Sequence, residues 1–130
     1  MRFRGFRSAC LIKISTNSNL TLLNERRAER CVKSGLDDLS ISIDGANAVT
    51  YERIRVRAHF ERVVGNLERL LAARQRLSRD QPHLRLVMVI MRQNLHELPD
   101  LLRLAHRWSV ESINHVTVQQ VVEAAEEIIR

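Results

Sequence analysis

Side chains suited to ligand binding occur in three short segments of the sequence. Hydroxyl and amide groups stand in Ser15-Thr16-Asn17, a hydroxyl and a carboxylate in Ser42-Ile43-Asp44, and a guanidinium and an amide in Arg92-Gln93-Asn94. These groups donate and accept hydrogen bonds. The three segments therefore indicate recognition of a polar molecule.

The periodicity of apolar residues places each segment at the end of a predicted β-strand. Alternation is clearest in the second strand, where Leu39, Ile41 and Ile43 share one face and Ser40 and Ser42 the other. The predicted strands are Ala9–Ser15, Leu39–Ile43, Leu84–Met91 and Ser112–Val118, with a polar loop over Thr16–Asn19. The predicted helices are Glu25–Lys33, Phe60–Leu77 and Leu98–Trp108, with a short helical turn around Val49–Ile54 and a helical tail over Val121–Arg130.

Strands that alternate with helices of this length pair in parallel through right-handed crossovers, which predicts an α/β fold. In such folds ligands bind beyond the carboxyl ends of the strands, so the three polar segments converge on one rim. The apolar face of the second strand must pack on helices, which turns Ser40 and Ser42 inward. Any one of these residues is also explained by a turn or a helix cap. Their coincidence on one rim favours ligand binding.

Composition and charge narrow the class of protein. The 130 residues are 45% apolar, enough for one domain with its own core, and no apolar run approaches the roughly 20 residues that span a bilayer. Lys13 interrupts the first apolar stretch, whereas a secretory signal needs about 7–15 unbroken apolar residues, so we expect a cytoplasmic protein without membrane binding.

The net charge of +6 comes mainly from arginines placed among glutamates, and aromatic residues make up 4%. That pattern is typical of solvated helical faces, so we expect no nucleic-acid partner.

The cysteines and histidines do not follow a metal-site pattern. Cys10 and Cys31 lack ligand spacing, and none of the five histidines forms a pair at helical spacing. We expect two free thiols, with Cys31 as a small core residue on a helix.

Longer stretches of the sequence resemble a known family. Residues 34–46, Ser-Gly-Leu-Asp-Asp-Leu-Ser-Ile-Ser-Ile-Asp-Gly-Ala, together with Thr-Tyr-Glu-Arg-Ile-Arg at 50–55 and Phe-Glu-Arg-Val-Val-Gly-Asn-Leu at 60–67, carry the strongest match. This string resembles the fourth-strand region of radical S-adenosylmethionine (SAM) enzymes. Residues 14–17, Ile-Ser-Thr-Asn, are similar to the family's third-strand Thr-Asn-Gly motif, and residues 89–98 to its fifth strand. The resemblance spans residues 12 to 118 and is nearest to the subgroup with a SPASM-type or twitch-type extension.

The resemblance implies a fold, cofactors and site residues. The family folds as a partial (β/α) TIM-like barrel with parallel strands, and it cleaves SAM at a [4Fe–4S] cluster to form a 5′-deoxyadenosyl radical. Ser42 matches the serine whose hydroxyl helps to hold SAM, and Thr16 and Asn17 match the segment beside the cofactor. Asp44 shapes the turn after the strand, and Arg55 is implied as a ligand for a carboxylate.

The sequence also departs from the family pattern. It lacks the Cys-x-x-x-Cys-x-x-Cys motif, whose thiolates hold the cluster, and the Gly-Gly-Glu-Pro motif of the second strand. We therefore expect a truncated radical SAM domain that covers strands three to six and is inactive alone, because the cluster would not bind it. In this interpretation residues 9–118 form the partial barrel, residues 1–8 are unassigned and residues 119–130 form the helical tail.

Two other interpretations stay open. One is a non-catalytic α/β module that docks onto a protein partner through an exposed sheet edge, since unpaired edges invite pairing. The other is an anion-binding protein that acts through its arginines. The sequence does not identify the substrate of a parent enzyme, which we expect to be a peptide or a small molecule.

Overall fold

The computed structural model describes residues 12–110 and 112–113, which form a four-stranded parallel sheet and its connecting helices. The strands are β1 (Ser15–Ser18), β2 (Asp38–Ser42), β3 (His83–Val87) and β4 (Ser112–Ile113). The helices are α1 (Glu25–Lys33), α2 (Ala48–Ile54), α3 (Phe60–Arg76) and α4 (Leu98–Arg107), and a short 3₁₀ helix at Leu95–Glu97 leads into α4. The predicted α/β fold with parallel strands is confirmed.

The strands lie side by side in the order in which they occur in the sequence, and every neighbouring pair is parallel. In this register Asn17 pairs with Ser40, and Ser40 pairs with Arg85. A doubly wound open sheet reverses its strand order at a switch point, whereas sequential order is that of a (β/α) barrel wall. The described residues therefore form part of a TIM-like barrel.

The hydrophobic core lies between the helices and one face of the sheet. Leu39, Ile41 and Ile43 are at most 4% exposed and belong to one cluster with buried residues of α1, α3 and α4. Because side chains alternate along a strand, Ser40 and Ser42 lie on the opposite face of β2. The predicted alternation is confirmed, and it leaves a polar row on the side that the described helices do not cover.

β1 lies later in the chain than predicted. The expected loop over Thr16–Asn19 is wrong for its first three residues, because the chain is strand from Ser15 to Ser18. The turn preference of these polar residues is outweighed by pairing with β2 at four successive positions. Just ahead of β1, Ile14 N donates to the Asp37 carboxylate at 2.7 Å, so a side chain holds the backbone there.

β3 is shorter than the apolar run Leu84–Met91 that predicted it. Beyond the end of β3, side chains take the place of a neighbouring strand as hydrogen-bond partners. Val89 N donates to Asp44 Oδ1 at 3.0 Å, and Met91 N donates to Asn94 Oδ1 at 2.7 Å. The apolar run predicted a strand that is covered on both faces and extends to Met91. Only alternate residues, Leu84, Leu86, Met88 and Ile90, are buried, and the strand ends at Val87, so both the coverage and the length were overestimated.

The first helix begins and ends as the sequence predicts. Asn24 Oδ1 accepts a hydrogen bond from Arg27 N at 2.8 Å, which caps α1. After the helix, Gly35 has a φ of 83°, the left-handed exit conformation that glycine adopts without steric cost. α1 therefore has the predicted bounds.

α3 and α4 each end one residue earlier than predicted and share the same type of exit. Ser78 follows α3 with a φ of 51°, and Ser109 follows α4 with a φ of 52°. At each end, two successive backbone N–H groups turn back to carbonyls of the last helical turn. This arrangement is the Schellman motif, here built on serine rather than glycine.

Some predicted features lie outside the described residues. These are the start of the first strand at residues 9–11, the fourth strand beyond Ile113, the tail helix Val121–Arg130 and the proposed limits at residues 8 and 118. Across residues 12–110 and 112–113, no helix has the length and apolar character needed to cross a bilayer.

Candidate functional site

A row of polar side chains, which we call the polar face, consists of Asn17, Ser40, Ser42 and Arg85. Asn17 pairs with Ser40, Ser40 pairs with Arg85, and Ser42 follows Ser40 by two residues, so all four lie on the sheet face opposite the helices. Asn17 is exposed and Ser42 is half-buried. Strand spacing puts the Cα atoms of Asn17 and Ser42 about 8 Å apart, within reach of one ligand.

Thr16 is separated from the polar face. It pairs with Leu39, whose side chain lies in the helix-covered core, so Thr16 is on the other side of β1 from Asn17. Of the residues that sequence reasoning placed beside a cofactor, the strands bring Asn17 and Ser42 together and turn Thr16 away.

Asp44 and Arg55 form an ion pair after the carboxyl end of β2. Arg55 Nε donates to Asp44 Oδ2 at 2.7 Å, and the two side chains are 31% and 5% exposed. The other carboxylate oxygen, Oδ1, accepts from Val89 N. Both oxygens of Asp44 are thus used inside the protein. The terminal guanidinium nitrogens of Arg55 make no hydrogen bond within the described ranges, so they can bind a carboxylate in two places.

Asn94, which the sequence placed on the ligand-binding rim, is committed to the backbone instead. It is fully buried, and its Nδ2 donates to the carbonyls of Asp44 and Val89 at 3.0 and 2.9 Å. Its Oδ1 accepts from Met91 N. The prediction that Asn94 lies on the ligand-binding rim is therefore wrong, because all of the hydrogen bonds of its side-chain amide hold the turns after β2 and β3 together.

Glu97 is a residue of this region that sequence reasoning missed. It is 2% exposed, and its Oε1 accepts from Ala46 N at 2.8 Å and from Asn47 Nδ2 at 3.1 Å. Asn47 in turn caps α2 by accepting from Thr50 N. The spacing Asn94-x-x-Glu97 has the form of a capping box, which indicates a local role. The actual partner, Ala46, lies 51 residues away.

Gly45 permits a close approach between β2 and α2. A Cβ atom on this residue would lie 2.7 Å from Tyr51 N and 3.0 Å from Tyr51 Cα, closer than atoms pack. Tyr51 is fully buried and packs against Phe60 with ring centroids 5.6 Å apart. Burial raises the pKa of the Tyr51 hydroxyl, which stays neutral near Arg55 and Asp44. This approach sets the spacing between Asp44, before α2, and Arg55, after it.

The described residues contain no group of three histidine, cysteine or acidic side chains placed to hold a metal ion. Cys31, on α1, is a free thiol that packs against the core. Burial raises the pKa of this thiol, which disfavours the thiolate that binds iron. Cys31 is therefore suited to packing and poorly suited to iron binding.

Comparison with known proteins decides the family. A family model described as the radical SAM superfamily matches residues 4–105. The chain belongs to the radical SAM superfamily. It is also similar to the GTP 3′,8-cyclase of Synechocystis sp., with 33% identity over 102 residues. The aligned region is 78% of this chain and 29% of that relative, so the chain spans less than a third of the relative's length.

Radical SAM proteins use SAM and a [4Fe–4S] cluster. The residues of this chain fit SAM and do not fit the cluster. Hydroxyl and amide groups on the polar face and the guanidinium of Arg55 match the polar groups of SAM. A cluster that binds SAM needs three closely spaced thiolates, whereas the whole sequence contains two cysteines, of which Cys31 is partly buried against the core.

Proposed function

We propose that this chain forms a SAM-binding wall of a radical SAM enzyme. The observation that carries the proposal is the convergence of Asn17 and Ser42 on the polar face, turned away from the helices. SAM presents ribose hydroxyls, an adenine, an ammonium group and a carboxylate, which are partners for amide, hydroxyl and guanidinium side chains. Bound SAM supplies the radical chemistry of the superfamily.

Each residue has a distinct role in this proposal. Ser42 and Asn17 hold polar groups of SAM directly, and Arg55 binds the carboxylate through its terminal nitrogens. Asp44 is a positioning residue, because it binds Arg55 through Nε and leaves the terminal guanidinium nitrogens available to a ligand. Thr16 lies on the far side of β1 and has no contact with SAM in this arrangement.

The proposal includes two finer points. The string from Ser40 to Arg55 supports membership of the SPASM or twitch subgroup, and the cysteine content supports a chain that does not build the cluster by itself. Catalysis then requires thiolates from outside this chain. Family membership favours this function over a docking module without catalytic ancestry.

The SAM site is tested by NMR titration of the ¹⁵N-labelled chain with SAM. We expect progressive shifts of the Asn17, Ser40 and Ser42 amides. Ser42→Ala should weaken binding about threefold to tenfold, since one hydrogen bond contributes about 0.5–1.5 kcal/mol. Arg55→Gln should weaken it about tenfold. The matched control is Arg53→Gln, at an exposed position in the last turn of α2 two residues earlier. Shifts confined to other residues, or equal effects of the two arginine variants, would contradict the proposal.

The cluster proposal has a separate test. Anaerobic reconstitution of the chain with iron and sulfide should give no stable [4Fe–4S] absorbance after desalting. A stable cluster on the chain alone would overturn this part of the proposal and leave the SAM site to be judged by the titration.

We also propose a protein partner at the outer edge of β1. Among the described residues β1 pairs with β2 alone, and three of its four residues are exposed. Unpaired backbone groups at such an edge accept an added strand. Size-exclusion chromatography with light scattering should show self-association or capture of the partner strand. A sharp monomer with a cooperative melt would argue against it.

A further inference from the structure

A groove of about 670 Å³ lies where β3 begins and where α3 and α4 end, at the opposite end of the strands from Asp44. Its charged lining includes Arg74, Arg79 and Arg107 and, with the opposite sign, Asp80. Arg79 and Arg107 outnumber Asp80 in this lining, so the groove is basic. A second hollow of about 390 Å³ shares Arg79 and Asp80, so the groove continues toward the end of α1.

Two of these arginines have unused guanidinium groups. Within residues 12–110 and 112–113, the side chains of Arg79 and Arg107 make no hydrogen bond and no ion pair. Arg79 is half-buried, so its charge has lost part of its hydration without gaining a partner. Arg74 differs, because its NH1 donates to the carbonyl of Pro82 at 3.0 Å and is held at the wall of the groove.

The helix ends nearby do not account for these side chains. Basic residues near a helix C-terminus often bind its last carbonyls. At the end of α3, however, Ser78 N and Arg79 N already bind the carbonyls of Gln75 and Arg74, and the end of α4 repeats the pattern. Since backbone groups satisfy these carbonyls, the guanidinium groups remain available to a ligand.

We propose that this groove binds a phosphate dianion, either inorganic phosphate or the phosphate group of a small phosphomonoester, through Arg79 and Arg107. Two planar guanidinium groups can each bind two phosphate oxygens, and the two positive charges of Arg79 and Arg107 match the charge of the dianion. The volume lies within the range of about 300–1,000 Å³ that is typical of small-molecule sites. The site is separate from the polar face, which lies on the sheet surface and leads to the carboxyl ends of the strands.

The test is calorimetric titration of the full chain with sodium phosphate and, in a second arm, with glycerol phosphate. We expect binding in the millimolar range or tighter and about tenfold weaker binding in the Arg79→Gln/Arg107→Gln double variant. The matched control is Arg30→Gln/Arg53→Gln, which removes the same charge from exposed positions outside the groove and should bind as the unaltered chain does.

The outcomes separate the possibilities. Absence of binding to the unaltered chain in both arms up to about 10 mM would overturn the proposal, as would equal weakening in the two double variants, which would indicate general charge attraction. Tighter binding of glycerol phosphate supports an organic ligand, and equal binding supports phosphate itself. The SAM titration of the groove variant should be unchanged, so this proposal and the proposed SAM site can fail independently.

Discussion

Asp44 belongs both to the candidate site and to the hydrogen-bond network that holds the fold. Its carboxylate binds Arg55 through one oxygen and Val89 N through the other, and its carbonyl accepts from Asn94. The sequence identified Asp44 and Arg55 as site residues but gave no sign that they pair. Their separation of 11 residues crosses a turn and a helix whose spacing depends on the close approach at Gly45. Such a pair depends on packing, which local patterns do not report.

Asp44→Asn is expected to lower the free energy of unfolding by about 1–3 kcal/mol. The amide nitrogen of asparagine is a donor, and the two groups that it would meet, Arg55 Nε and Val89 N, are donors as well. One of these two N–H groups therefore loses its hydrogen-bond acceptor. Urea denaturation measures the loss.

Asp100→Asn is the matched control for that measurement. Asp100 pairs with Arg103 on α4, and the two side chains are 60% and 74% exposed. An exposed pair contributes little, so the change should stay within about 0.5 kcal/mol. Equal losses in the two variants would contradict the role assigned to Asp44.

The Cys31 thiol is expected to react slowly with alkylating reagents. Burial raises its pKa, so the thiolate fraction at a given pH is smaller than in a free thiol. In the Cys10→Ser chain, which keeps one cysteine, alkylation at about pH 8 should be slower than that of glutathione. Because the folded state holds this proton more tightly than the unfolded state, the thiol stabilises the fold below the ordinary thiol pKa, and that contribution declines at higher pH. A rate equal to that of glutathione would contradict burial.

At the level of elements, helix limits were predicted better than strand limits. Helix ends depend on a few adjacent residues, such as the Asn24 cap and the Gly35 exit of α1, and the sequence shows these directly. Strand ends depend on partners far away in the chain. β3 ends where the side chains of Asp44 and Asn94, rather than a neighbouring strand, bind the backbone N–H groups, and β1 forms because it pairs with β2. No local sequence pattern predicts the end of β3 or the position of β1.

Ser78→Gly is expected to raise the free energy of unfolding by up to about 1 kcal/mol. A left-handed backbone costs a non-glycine residue about 1–2 kcal/mol, and the greater chain entropy of glycine in the unfolded state cancels part of the gain. Thermal and urea denaturation provide the measurement.

Ser34→Gly provides the contrasting control. Ser34 caps the end of α1 with a φ of −68°, where glycine relieves no strain, and its hydroxyl donates to the carbonyl of Cys31. This variant should be less stable than the unaltered chain. A loss of stability in Ser78→Gly as well would show that strain at the end of α3 is absent.

At the level of the whole molecule, alternation in β2 was enough to predict which face of the sheet is polar. Leu39, Ile41 and Ile43 had to meet helices, and that requirement placed Ser42 on the other side. The groove with Arg79 and Arg107 was beyond prediction, because α3, β3 and α4 each contribute part of it. No single segment of the sequence determines the register between strands or the place where helix ends meet.

The sequential order of the strands has a consequence for the synthesis of the protein. Each strand pairs with the strand translated just before it, so a newly made βα unit finds its partner already present. Ribosomes add about 5–20 residues per second, which gives β2 time to join β1 before β3 has emerged. Pairing between neighbours also keeps loop closure inexpensive in entropy. Translation and assembly of this sheet therefore run in the same direction, one strand at a time.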